Sequence, residues 1–143
     1  MKLARLSLCV MAATFLGLGL MSLTAPKILT QLVEISMPTP IAVMEVRGVY
    51  GGLFFGIGAF FLLFARRDAW LRPGLVAQAG VMGGFVLGRT VGILFDGAPS
   101  PFIAALLAGE VLMVIVALAA WRSSTHPPLR LENHSAGPPI PQL

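Results

Sequence analysis

Four long apolar stretches constrain this chain more than any other feature: they run approximately from Leu6 to Thr24, Ile41 to Ala65, Pro73 to Phe95 and Phe102 to Trp121. A helix needs about 20 predominantly apolar residues to cross the hydrocarbon core of a bilayer, and each stretch meets or approaches that length. The expected fold is all-α, a polytopic membrane protein built as a four-transmembrane-helix bundle over residues 1–121. Composition supports the class, because only 11% of the residues are charged and 57% are hydrophobic, whereas a soluble domain is roughly a quarter charged.

The basic residues set an orientation. Lys2 and Arg5 precede the first stretch, Arg66, Arg67 and Arg72 separate the second from the third, and Arg122 and Arg130 follow the fourth. All of these fall on one side of a four-span chain, and Lys27 is the lone basic residue in the loops on the other side. The positive-inside rule then places both termini in the cytoplasm, with Trp70 and Trp121 at the cytoplasmic interface. A net charge of +4 with a pI near 10.2 is explained by these flanking residues, so nucleic acid is not an expected partner. Met1 to Arg5 followed by an apolar run also has the look of a secretory signal. That run is long for a signal h-region and Pro26 follows Thr24 and Ala25 closely, so a retained first helix is the expectation.

The longest outer segment, Lys27 to Met37, has Ile28, Leu29, Leu32 and Ile35 on one helical face and Lys27, Thr30, Gln31 and Glu34 on the other. This is the pattern of a short external interfacial helix, opened by Pro26 and ended by Pro38 and Pro40. A connecting spacer is the plain alternative. Asp96-Gly97-Ala98-Pro99-Ser100-Pro101 reads as a tight hairpin, with Ser100 as N-cap and Pro101 at the first helical position. Residues 122–143 read as a disordered, Pro-rich cytoplasmic tail, in which Pro138 to Pro141 is a short polyproline match.

Glycines recur at steps of four: Gly48, Gly52 and Gly56 in the second stretch, and Gly80, Gly84, Gly88 and Gly92 in the third. Such stripes let helix backbones approach closely, and the expectation is that spans two and three pack through them. A homodimer through one stripe is the alternative.

Ionisable residues inside apolar spans are functional-site candidates, because each must be paired or wetted. From a rise of about 1.5 Å per residue, Glu45 lies roughly 6 Å below the outer surface, Arg47 and Arg89 roughly 9 Å and Glu110 roughly 12 Å. Two arginines and two carboxylates thus share a layer, with Asp96 at its rim and Tyr50 beside it. Arg89 with Glu110 is the simplest interhelical pair. Glu45 and Arg47 stand about 200° apart around a regular helix and cannot both enter one narrow cavity unless that helix unwinds.

Glu45-Val46-Arg47-Gly48-Val49-Tyr50-Gly51-Gly52, then Gly88-Arg89, then Asp96 to Pro101 resemble the recurring motifs of bacterial four-helix membrane proteins grouped as domain of unknown function 4345. The resemblance covers most of Leu6 to Trp121. It implies a DoxX-like four-helix architecture in a bacterial inner membrane. Some members of the wider DoxX-like group accompany quinone-linked oxidoreductases. The resemblance carries no activity over to Glu45, Arg47, Arg89, Asp96 or Glu110.

Absences narrow the chemistry. His126 and His134 lie in the tail, so no histidine falls in an apolar span for haem, zinc or a proton relay. Cys9 is the one cysteine, which excludes an intrachain disulfide and a cysteine metal cluster. No nucleotide fingerprint is present. No metal or cofactor is expected. The first functional reading is an accessory or interaction protein whose buried charges specify packing, with another membrane protein or a second copy as partner. The alternatives are a small-molecule, quinone or lipid-headgroup binder, and a membrane isomerase or oxidoreductase using Glu45 or Glu110 for proton transfer. Whether the chain is an enzyme stays open at this stage.

Overall fold

The computed structural model of the protein describes residues 1–124. The polyproline match, both histidines and most of the expected tail lie outside the described residues. Of that expected tail, Arg122 and Ser123 form the end of a helix instead.

The chain runs α1 (Lys2–Thr24), α2 (Pro26–Leu32), α3 (Pro40–Val46), a π-helical segment (Arg47–Leu53), α4 (Phe54–Arg66), a 3-10 turn (Asp68–Trp70), α5 (Leu71–Asp96) and α6 (Pro101–Ser123). The stretches Lys2–Thr24, Pro40–Arg66, Asp68–Asp96 and Pro101–Ser123 are each long and apolar enough to cross a membrane. At the basic end the helices extend past the apolar runs to include Lys2, Arg66 and Arg72. Long basic side chains allow this, since the stem stays on the helix while the charged head reaches water.

Helix α1 is the packing centre. Its buried positions Ala4, Leu8, Met11, Ala12, Phe15, Gly19 and Ser22 recur at three- and four-residue steps, the spacing of one helical face. That face runs along α4 and the π segment, while α5 runs along α6. Core residues from the other helices include Phe61, Ala65, Leu71, Leu75, Met82, Ala117 and Ala120. Large apolar side chains such as Phe60, Leu87, Leu94 and Phe95 are exposed on the outer surface, a distribution suited to hydrocarbon rather than water.

The close helix contacts use other glycines than the two four-step stripes. A Cβ at Gly58 would stand 2.6 Å from the Leu16 amide nitrogen, and one at Gly19 would stand 2.5 Å from that of Phe55. A Cβ at Gly51 would stand 2.8 Å from the Leu23 side chain, and one at Gly74 would stand 2.8 Å from that of Phe64 and 2.9 Å from that of Leu8. By contrast, Gly48, Gly56, Gly80, Gly84 and Gly88 have open space where a side chain would go. Gly52 approaches only the carbonyl of Arg47, and Gly92 only Asp96 of its own helix. The expectation that spans two and three pack through their stripes is therefore corrected. Helix phase explains the outcome for the middle of the stripe: Leu75, Gln78 and Met82 form the buried face of α5, and Gly80 and Gly84 stand two positions from Gln78 and Met82 respectively, about 200° around the helix.

A polar tie crosses the interior. Ser7 Oγ donates to Gln78 Oε1 at 2.9 Å, and Gln78 Nε2 donates to the Met113 carbonyl at 3.1 Å. One buried glutamine thus joins α1, α5 and α6. At the basic end, Arg5 pairs with Asp68, while Arg72 donates to the Ser124 carbonyl at 2.6 Å and lies 4.8 Å from the Trp121 ring centroid. Arg67 lies over Trp70 at the same distance. These aromatic–cation pairs fit an interfacial belt.

At the opposite end α2 folds back over the bundle. It is shorter than the expected Lys27 to Met37 helix, and its inward face is Pro26, Leu29 and Thr30. Thr30, assigned to the polar face from sequence, is buried because its hydroxyl donates to the Pro26 and Lys27 carbonyls. Ile28, Leu32 and Ile35 are exposed. The helix ends in a Schellman arrangement: Ile35 N bonds Thr30 O at 2.8 Å, Glu34 N bonds Gln31 O, and Glu34 itself has φ 59°. In the α5–α6 turn Gly97 takes φ 106°, which only glycine adopts freely, and Pro101 opens α6. The Ser100 hydroxyl makes no cap bond. Its backbone carbonyl accepts from Ala104 N, so the cap position is right and the side-chain role is not.

Candidate functional site

Helices α1, α2, α5 and α6, with the π segment and Phe54 at the start of α4, line a cavity of about 520 Å³. Ligand sites commonly occupy about 300–1,000 Å³, with apolar walls and a few polar groups. Here the walls are chiefly Met11, Phe15, Leu29, Phe54, Met82, Phe85, Leu106 and Met113, and the ionisable groups among them are Tyr50, Arg89 and Glu110.

Arg89 stands on α5 one turn beyond Phe85, and Glu110 stands on α6 between Leu106 and Met113; all these residues line the cavity. The Arg89 Nε–H donates to both carboxylate oxygens of Glu110, at 3.0 and 2.9 Å. The Arg89 side chain is 25% exposed and that of Glu110 is 13% exposed. Among the described residues, the two Nη groups of Arg89 donate no hydrogen bond, although the guanidinium carries five N–H donors.

Tyr50 reaches the cavity from the middle of the π segment. Three glycines within seven residues, Gly48, Gly51 and Gly52, weaken the α register there. Segments with i→i+5 bonding often occur where a helix presents a functional side chain. The Tyr50 ring lies edge-to-face with Phe54 at 5.6 Å between centroids, and Phe54, Phe15 and Phe85 are mutually within 6.2 Å. The inner wall is therefore aromatic.

Three sequence candidates lie elsewhere. Glu45 and Arg47 are exposed and flank Val46, the buried residue of α3. The phase of α3 turns Val46 inward and the two charges outward, and the π register begins at Arg47. Asp96 is the last residue of α5 and is exposed. None of the three lines the cavity or forms an ion pair among the described residues. The exposed members of the lining are Val10 and Thr14 of α1, Leu32 of α2, and residues such as Phe102, Ala105 and Leu112 of α6. The cavity thus opens sideways, between α1 and α6 beneath α2, onto the apolar outer surface.

Sequence reasoning passed over Ser7 and Gln78. A lone glutamine inside an apolar span carries a signal, since polar side chains there seek partners on neighbouring helices.

Fold and site together define a multi-pass, four-helix membrane protein with a laterally open, largely apolar cavity and one part-buried ion pair. Residues 3–121 match the family described as a domain of unknown function (DUF4345), and the chain belongs to that family. No curated protein and no solved structure matches the chain.

Proposed function

We propose that the protein binds an amphipathic small molecule, of the lipid or quinone kind, that enters from the bilayer. The observation that carries this reading is the cavity itself: apolar and aromatic walls, a mouth between α1 and α6, and a polar pole at Arg89 and Glu110. A tail in the apolar region is favoured by burial, and a head at the ion pair is favoured by hydrogen bonding. The protein resides in a bacterial inner membrane with both termini cytoplasmic, a reading supported by the basic residues gathered at the Lys2, Arg66 and Arg122 end.

Native mass spectrometry of protein purified in mild detergent tests the binding. A stoichiometric small molecule is expected on the natural chain and its loss on Ala105→Phe, which fills the mouth. The same mass on both proteins overturns the reading. For orientation, a cysteine at Ser123, in a chain with Cys9→Ser, is expected to resist impermeant maleimide in intact cells.

A second reading is an accessory role in which a second copy packs on α5, favoured by the open space beside Gly80, Gly84 and Gly88. Cross-linking through a cysteine at Gly84 in native membranes tests it, and an exclusively monomeric product removes it.

A further inference from the structure

The geometry points to an uncharged headgroup that accepts hydrogen bonds, such as a ketone, ester or quinone carbonyl, as the chemistry the cavity selects; this inference rests on the proposed binding function. Charge balance supplies the first step. Among the described residues, Arg89 and Glu110 are the lone cation and anion of the lining, and they are already paired. Glu45, Arg47 and Asp96 lie outside it. The lining is thus formally neutral. An anionic head would leave one uncompensated negative charge in a low-dielectric region, and a cationic head one positive charge, each costly. A neutral head adds none.

Donor geometry supplies the second step. Because Nε alone serves both oxygens of Glu110, the four N–H donors on the Nη groups are left for a ligand. Arginine has no acceptor, so whatever meets those groups must accept. The Tyr50 hydroxyl makes no hydrogen bond among the described residues and adds a further donor on another wall. Both residues line the cavity, and Arg89 is the more open member of the pair. Two such donors can hold one carbonyl oxygen without disturbing the ion pair.

The test compares three probes with one tail: methyl laurate, lauric acid and dodecyltrimethylammonium. Each is titrated at neutral pH into the natural protein and into Ala105→Phe, with thermal stability in detergent as the readout. The ester is expected to bind at least about tenfold more tightly than either ion, counting the part of the shift that Ala105→Phe abolishes. Glu110→Gln removes the negative charge and should transfer the preference to lauric acid. Cavity-dependent binding of the acid equal to or tighter than that of the ester in the natural protein overturns the neutral-head inference while leaving the binding function standing. Absence of cavity-dependent binding by every probe overturns both. The comparison on the natural chain decides the matter even where Glu110→Gln does not fold.

Discussion

Gly58 of α4 meets Leu16 of α1 with no room for a side chain between them, since a Cβ would stand 2.6 Å from the Leu16 amide nitrogen and 3.1 Å from the Ala12 carbonyl oxygen. Both neighbours are backbone and cannot swing aside. Gly58→Ala should destabilise the bundle by about 1–3 kcal/mol, the usual range for overpacking. Gly84→Ala, which points into open space, should stay within about 0.5 kcal/mol. Unfolding in detergent by heat or denaturant measures both. Equal losses at the two positions would contradict the packing described.

The buried hydroxyl of Ser7 and the amide of Gln78 act as a unit. Ser7→Ala leaves Gln78 Oε1 without its donor and should cost about 1–2 kcal/mol. Replacing Gln78 by Leu removes both bonds, so the double variant should fall short of the summed single losses. A coupling of about 0.5–2 kcal/mol is expected, given how interhelical hydrogen bonds behave in membrane proteins. A double-variant cycle measures it, and strict additivity would show that the two side chains act independently.

The sequence made the spans legible because length and apolarity alone decide what crosses a bilayer. It made Arg89 with Glu110 legible because helical rise converts position into depth, and a charge in lipid needs a partner at its own depth. Facing was less legible. The four-step recurrence of Gly80, Gly84 and Gly88 defines a smooth stripe but not what that stripe faces, and the buried stripe of α5 is carried by Leu75, Gln78 and Met82 instead. Helical rise assigns Glu45 and Arg47 to the layer of the ion pair, yet helix phase turns them outward around Val46. Tyr50 depends on a π segment whose i→i+5 register leaves only a concentration of glycines as its sequence trace. The cavity was the least legible feature, because a void is a property of how four helices diverge rather than of any one of them.

Glu34 holds the left-handed conformation at the end of α2, with φ 59° and the paired Schellman bonds from Glu34 N and Ile35 N. A residue with a Cβ is disfavoured there by about 1 kcal/mol relative to glycine. Glu34→Gly should therefore raise stability by up to about 1 kcal/mol while Glu34→Val lowers it. The same unfolding assay separates the two. A loss on Glu34→Gly would mean that the carboxylate makes a contribution larger than the backbone strain.

Arg89 and Glu110 carry the strongest energetic expectation. Removing one member of a part-buried pair strands the other, and Arg89→Ala should cost about 3 kcal/mol, the low end of the range for buried pairs because both side chains retain some exposure. Removing both, as Arg89→Met with Glu110→Leu, should cost markedly less than either single change, since no lone charge then remains in the apolar interior. The charge-swapped chain, Arg89→Glu with Glu110→Arg, should recover part of the single-variant loss but not the natural level, because the longer side chain then starts from α6 and the donors no longer sit beside Phe85. If the double apolar variant is as unstable as the sum of the singles, the pair is not the unit that its bonding implies. If that variant is stable but no longer retains the bound small molecule, the pair's principal role is in recognition rather than in holding α5 to α6.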